Sequence, residues 1–367
     1  MNILFFQNCI SPHQMPYTNQ LPLFSEVDNV IVVVLEVDMV SRKMMGWNAS
    51  GLMNVSNVKF LIAPTIEDVE RLYSKYTGHD TWCMYSGISS FVAVKLWFRM
   101  SLKYKVRRGI ITEPPIINKR KPLWLHYVRF CIQDRKFIPY IDKVFAFGPL
   151  AISYYNSWSS RWKVIPFAYC TALKCTQIEV VGNNDINLVF VGSLIKRKNV
   201  KAILFSMSLL PSNIKLHILG DGPESADLRR IADYCGIREK VFFHGKREMN
   251  EVYSILPNYD ILILPSYHDG WGAVVNEALQ SGLYVICSDK CGSQMLLTDP
   301  MLGRVFKSQS ELSCILKECV MNIEEIRRYR KKRLVWSENI SGEKIAKYFV
   351  ANLVGDELVA EPWKDKL

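Results

Sequence analysis

Leu264-Pro-Ser-Tyr-His-Asp-Gly-Trp-Gly-Ala-Val-Val-Asn-Glu-Ala-Leu-Gln-Ser-Gly282 begins at the end of a short aliphatic run and closes on a helical one. Asp260–Leu264 reads as a buried strand and the residues around Glu277 as a helix, with a loop between them that holds Asp269, Gly270, Trp271 and Gly272. Glycines at 270 and 272 bare backbone N–H groups where a helix starts, which favours an anion such as a diphosphate. Asp269 in the loop is placed to accept bonds from sugar hydroxyls beside that anion. Glu277, inside the helix and about two turns along from it, can do the same for a ribose.

Working outward, strand and helix signals alternate along all 367 residues. The spacing predicts strands at Ile3–Phe6, Val30–Leu35, Trp82–Tyr85, Gly109–Thr112 and Lys143–Phe147, with helices at Ile66–Tyr76 and Ser89–Tyr104 among them. A polar segment at 171–186 reads as a linker, after which Asn187–Val191, Lys215–Leu219, Val241–Phe243 and Tyr284–Cys287 continue the rhythm, with helices at Asn199–Leu210 and Glu224–Cys235. Alternation of this kind predicts an α/β fold of two doubly wound, Rossmann-like parallel-sheet domains facing a central cleft, with ligands at the carboxyl ends of strands. The expected division is 1–170 for a first domain, 187–335 for a second, and 336–367 for a C-terminal helix returning to the first domain.

Two further loops follow strands in the second half. Phe190-Val-Gly-Ser-Leu-Ile-Lys-Arg-Lys198 runs from a strand through Gly192 and Ser193 into the basic group Lys196, Arg197 and Lys198. It reads either as a phosphate contact or as a solvated basic loop. Leu219-Gly-Asp-Gly-Pro223 has Gly220 and Gly222 for a tight turn and Pro223 for the first turn of a helix.

Taken in order, these motifs and Phe-His-Gly245 resemble the family 4 glycosyltransferases, which have the GT-B fold. The stretch from Asp269 to Gly282 is similar to that family's E-x7-E signature in an Asp-Gly-Trp-Gly variant. The resemblance runs over about residues 187–306 and is looser before them. It implies a retaining transferase that takes sugar from a nucleotide-sugar and needs no metal ion. Carried over by position, Glu277 holds the ribose, Asp269 contacts the donor sugar, Gly270, Trp271 and Gly272 lie beside sugar and diphosphate, and Lys198 binds phosphate. Gly192, Ser193, Arg197, Gly220 and Gly222 complete the expected donor site. This chain departs from the family pattern in having Ser193 where Arg is frequent and Asp269 where Glu is frequent.

In the first half, the loop Ile10–Tyr17 replaces the family's Gly-Gly turn and offers His13 and Gln14. Ser86 follows a strand, and Glu113 stands where the family often has a His. These four residues are the expected acceptor side, with Glu113 hydrogen-bonding the acceptor hydroxyl or holding charge there. Each also has a plain structural reading, His13 as a packed ring and Glu113 as a loop carboxylate.

Residues 95–144 hold thirteen Lys and Arg against Glu113, Asp134 and Asp142, and so carry nearly all of the net charge of +11. Trp97, Phe98, Tyr104, Trp124, Tyr127, Phe130, Phe137 and Tyr140 are interleaved with them. That mixture suits an anionic membrane surface and a lipid-linked glycan acceptor, with Arg327–Arg333, tempered by Glu324 and Glu325, as an extension; the other reading is a solvated basic face with no partner. Without a zinc finger, an RRM motif or a helix-turn-helix spacing, nucleic acid is not expected. With 49% hydrophobic residues the chain is not disordered, and no apolar run reaches transmembrane length. The N-terminus reads as a strand rather than a leader, so the expected location is cytoplasmic, peripheral at the inner face of the cell membrane. The ten cysteines lack C-x-x-C spacing and no Asp-x-Asp triplet occurs, so neither a metal site nor a cofactor is expected. The rival readings are a nucleotide-sugar epimerase or hydrolase of the same fold, and a basic nucleic-acid-binding protein with a degenerate nucleotide site.

Overall fold

The computed structural model describes residues 1–37, 53, 57–88, 91–114, 135–158, 163–171, 185–355 and 357–367. They form two compact units. In the first, β1 (Asn2–Cys9), β2 (Asn29–Glu36), β3 (Val58–Ile62), β4 (Thr81–Tyr85), β5 (Arg107–Thr112), β6 (Lys143–Phe147) and β7 (Lys163–Phe167) make one sheet in the order 3-2-1-4-5-6-7. Every pairing is parallel. The β-branched run Val30–Val34 is buried throughout, as a strand covered on both faces requires. Helices α1 (Met15–Thr18), α2 (Ile66–Lys75), α3 (Val92–Ser101) and α4 (Gly148–Trp158) lie between these strands. α2 starts at a capping box in which Thr65 and Asp68 satisfy each other's backbone N–H.

The second unit repeats the plan with β8 (Ile186–Val191), β9 (Ile214–Leu219), β10 (Val241–Gly245), β11 (Ile261–Leu264), β12 (Tyr284–Ser288) and β13 (Gly303–Phe306), ordered 10-9-8-11-12-13. Its helices are α5 (Lys201–Met207), α6 (Ser225–Tyr234), α7 (Met249–Ile255), α8 (Val274–Gln280), α9 (Gln309–Met321), α10 (Ile323–Arg328) and α11 (Arg330–Trp336). Strand order reverses between β1 and β4 in the first sheet and between β8 and β11 in the second. At those points, adjacent loops diverge and leave a crevice at the carboxyl edge.

Three strands went unpredicted: β3, β7 and β13. All lie at sheet edges, where the apolar pattern is thin, and β7 contains Pro166, which an edge tolerates. The helix expected over Asn199–Leu210 begins later, because Asn199 takes a left-handed conformation with φ 52°. The expected linker falls almost wholly on residues outside those described.

The C-terminal segment is divided. Gly342–Ala360 groups with the first unit, whereas residues up to Ser341 and Glu361–Leu367 group with the second. Helix α12 (Gly342–Val354) inserts Phe349 among Phe5, Tyr17, Phe145 and Phe167, with ring centroids 4.8–5.9 Å apart. Lys143 Nζ then donates to the carbonyls of Asn352, Leu353 and Gly355 at that helix's end. In the second unit, Trp363 is fully buried, and Trp336 Nε1 donates to the Asp365 carbonyl at 2.7 Å.

Candidate functional site

The loops after β8 and β11 flank the switch point of the second sheet, and their side chains meet there. Lys198 Nζ lies 2.6 Å from Asp269 Oδ2, and Arg197 Nη1 lies 3.4 Å from Asp269 Oδ1. Arg197 also donates to the His268 carbonyl at 2.6 Å, while its own carbonyl accepts from Tyr267 N at 2.8 Å. Asn199 Nδ2 reaches the Pro265 carbonyl at 3.2 Å, and its left-handed backbone turns the chain at that point. Burial pushes the Asp269 pKa upward, but Lys198 and then Arg197 outweigh it and hold the carboxyl below its ordinary value. Asp269 is therefore an anion wedged against two cations at the mouth of the sheet.

Glu277 sits on the short helix α8 and is 7% exposed. Burial raises its pKa to about 7, tempered by a hydrogen bond from Tyr253 Oη to Oε1 at 3.4 Å. Gly272, with φ 93°, starts the turn into α8, where a Cβ would come 2.7 Å from Leu264 Cδ2. Gly292 lets the following turn approach so closely that a Cβ there would lie 2.2 Å from the Gly270 carbonyl.

Several expected donor residues also have a structural part in these loops. The Trp271 side chain is 1% exposed and its indole N–H donates to Asn276 Oδ1 at 2.7 Å. It props the loop from beneath. Gly220 and Gly222 are required by the neighbouring loop: added Cβ atoms would lie 1.9 Å from the Gly192 carbonyl and 2.6 Å from that of Leu194. Gly192 N to Leu219 O and Leu194 N to Asp221 O, both 2.9 Å, zip the two loops together. Gly192 itself faces Lys198, whose Cε would be 3.7 Å from a Cβ there. Ser193 is half-buried in the same loop. His244 is stacked on His217, with Nε2 2.9 Å from His217 Nδ1.

In the first unit, His13 and Gln14 follow β1 and Ser86 follows β4, so they flank that sheet's switch point; Ser86 N donates to the Phe6 carbonyl at 3.0 Å. His13 and Gln14 are buried. Glu113 follows β5, is exposed, and accepts from Tyr169 Oη at 3.0 Å. Tyr169 stacks on Phe147 at 4.0 Å and lies 5.9 Å from the His13 ring, so it links two of the expected residues. Tyr169 and Tyr253 are the residues sequence reading missed; neither lies in a recognisable motif. Among the described residues, no group of three or more His, Cys, Asp and Glu is placed to hold a metal ion.

Residues 176–339 match the family described as glycosyl transferases group 1. The chain is 28% identical over 160 residues to the lipopolysaccharide glucosyltransferase WaaG of Escherichia coli K12, covering 41% of this chain and 40% of that protein. It is 25% identical over 181 residues to a Campylobacter jejuni N-acetylgalactosamine-N,N'-diacetylbacillosaminyl-diphospho-undecaprenol 4-alpha-N-acetylgalactosaminyltransferase, covering 48% and 49%. The matched stretch thus spans less than half the length of these curated relatives. Among solved structures, Anabaena Alr3699/HepE in complex with UDP superimposes with a TM-score of 0.70 at 12% identity, over 96% of this chain and 99% of that one. The fold is GT-B, two Rossmann-like parallel sheets.

The basic window is only partly a surface. Residues 115–134, with Trp124, Tyr127 and Phe130, lie outside those described. Of the rest, Trp97, Phe98 and Phe137 belong to the core. Arg108 is buried on the carbonyls of Ser101, Tyr104 and Val106, and Lys143 is buried at the end of α12. In the late run, Arg327 binds Asp260 at 2.9 Å, and Arg330 and Arg333 are buried on backbone carbonyls, so three of its cations do not extend a patch. Among the described residues, no helix is long and apolar enough to cross a membrane.

Proposed function

We propose that the chain is a retaining glycosyltransferase of family 4, carrying the Asp-Gly-Trp-Gly variant of the family signature. It moves a hexose from a nucleotide-sugar to a lipid-linked glycan in lipopolysaccharide or surface-polysaccharide synthesis. The observation that carries this reading is the convergence of Lys198, Arg197 and Asp269 at the switch point of the second sheet, with Glu277 on the helix that follows. The names of the curated relatives support the reaction and the acceptor class, and the UDP bound by the Anabaena neighbour supports the donor class.

The chemistry is charge stabilisation. As the bond between sugar and diphosphate breaks, negative charge grows on the leaving phosphate, and Lys198 and Arg197 are the cations positioned to meet it. Asp269 accepts from donor-sugar hydroxyls and Glu277 from the ribose. The acceptor hydroxyl attacks from the leaving-group face and passes its proton to the departing phosphate oxygen, so no enzymatic nucleophile is required. Two protein cations make a metal ion unnecessary. Glu113, exposed after β5, receives the acceptor hydroxyl.

The enzyme works at the cytoplasmic face of the cell membrane. On α3, Val92 and Leu96 are 88% and 41% exposed, with Arg99 and Lys103 exposed on the same helix or just past its end. The adjoining turn, packed on α3 through Phe98 and Phe137, adds Arg135, Lys136 and Tyr140. Binding to vesicles is expected to require anionic lipid and to weaken with salt.

The deciding experiment is thermal unfolding with UDP, GDP, ADP and CMP, on the wild type and on Glu277→Ala. A nucleotide at a hundredfold over its dissociation constant stabilises by about 2.7 kcal/mol. One nucleotide raising the wild-type Tm but not that of the variant supports the reading and identifies the base. No shift with any of them would sink it.

A further inference from the structure

Glu277 presents a problem that its role does not solve. A carboxylate 7% exposed on α8 must be ionised to accept both ribose hydroxyls, yet burial favours its protonated form. Among the described residues, Tyr253 is the side chain that hydrogen-bonds it, across 24 residues of sequence. Helix α7 brings the phenol there, fixed by a capping box between Glu248 and Glu251 at its start. Tyr253 is half-buried, and burial pushes its hydroxyl well above the ordinary phenol range, so it remains a donor at any working pH.

The charged groups on the other elements packed against α8 are bound to carbonyls or exposed to solvent. α11 contributes Arg330 and Arg333, whose guanidinium groups donate to carbonyls, among them Ser281 and Gly282 at the far end of α8. β12 contributes Tyr284 and Cys287, both pushed up by burial. The turn Ser337–Ile340 contributes Glu338, which is exposed, while β11 and the turn Leu256–Asn258 bring no titratable side chain.

We propose that Tyr253 is a positioning residue for the nucleotide: its hydroxyl holds the buried Glu277 carboxylate in the charged, accepting form that the ribose diol needs, and so sets the lower pH limit of nucleotide binding. The inference rests on the reading of this site as a nucleotide site. It assigns a role to a side chain that need not touch the sugar being transferred. Vicinal hydroxyls give up their bonds to water only for a stronger acceptor, and a protonated carboxyl offers one weaker acceptor and a misplaced donor.

The test is calorimetric titration with UDP, and with GDP and ADP in parallel, from pH 5.5 to 8.5. The proteins are the wild type, Tyr253→Phe and Glu277→Gln. Tyr253→Phe keeps the ring and its packing. Affinity of the wild type is expected to fall on the acid side of a midpoint, and the midpoint of Tyr253→Phe to move up by about one pH unit. Near pH 7 the variant then binds about tenfold more weakly, and it recovers towards wild-type affinity at pH 8.5. Glu277→Gln is expected to bind weakly with a flat profile. A Tyr253→Phe midpoint equal to the wild type's, or a loss of the same size at every pH, overturns the proposal while leaving the nucleotide site intact. Failure of the wild type to bind any of the three at any pH overturns the site reading itself, and the role of Tyr253 with it.

Discussion

Lys198 and Asp269 meet at 2.6 Å across 71 residues of sequence, each 13% exposed, and their contact ties the loop after β8 to the loop after β11. The pair preorganises the site before any ligand arrives. It also occupies the lysine, so in the proposed reaction a diphosphate would share that charge with the aspartate.

The two members of the pair are therefore expected to separate under mutation. Lys198→Met removes the proposed phosphate cation and leaves Asp269 with Arg197 alone. Stability should drop by about 2 kcal/mol and UDP affinity by about ten- to a hundredfold. Asp269→Asn frees the lysine, so UDP affinity should stay within about threefold while sugar transfer falls about a hundredfold. Calorimetry and a transfer assay on both variants check this. Equal loss of UDP binding in both would show that Asp269 acts on the nucleotide rather than the sugar.

Glu277 should cost the empty protein stability at alkaline pH. Its pKa is raised to about 7 in the native state from an ordinary 4.5. Between those values the native state holds a proton that the unfolded chain has released, so stability declines as pH rises through that window. Glu277→Gln removes the penalty. The variant is expected to match the wild type near pH 4 and to exceed it by up to ~3 kcal/mol at pH 8, while losing nucleotide stabilisation. Denaturant unfolding at the two pH values measures it, and a variant less stable at pH 8 would contradict the buried, strained carboxylate.

On the acceptor side, Tyr169→Phe keeps the stack on Phe147 and the contact with His13 but removes the bond to Glu113. If that bond holds Glu113 towards the acceptor, KM for the acceptor should rise about five- to tenfold, with the nucleotide-induced rise in Tm unchanged. A change in nucleotide binding instead would place Tyr169 outside the acceptor's reach.

How much of this was legible beforehand differs by residue. Asp269 and Glu277 were readable because their setting is local, a glycine loop running from a strand into a helix. Their partners are not: Lys198 reads as a phosphate ligand, but its contact with Asp269 is made by strand order, and Tyr253 belongs to no motif. Trp271 shows a different limit. An aromatic in a glycine-rich loop reads equally well as a ligand platform or as a buried strut, and only packing decides, here through Asn276. Gly220 and Gly222 read as a tight turn, and the pressure on them comes from the carbonyls of Gly192 and Leu194.

The run Arg327–Arg333 carries the same lesson into stability. Read as charge it suggests a surface; read by spacing, Arg327, Arg330 and Arg333 recur every three residues and fall on one side of the helical segment. That side faces inward. Arg333, 1% exposed, spans the carbonyls of Gly282, Met301 and Ile326, and so joins the loop after α8, the turn before β13 and the preceding helix. Burial lowers its pKa to about 10, which leaves it charged at neutral pH. No other side chain offers donors in a fork able to reach three acceptors, so even lysine is not a substitute. Arg333→Met, which fills the space but strands three buried carbonyls, is expected to cost about 3–5 kcal/mol. Arg333→Lys should recover only part of that, and Lys332→Met, on the exposed side, should stay within about 0.5 kcal/mol. Chemical unfolding of the three variants tests the assignment. A neutral Arg333→Met would return this cluster to the surface, and anionic vesicles would then be the place to look for its partner.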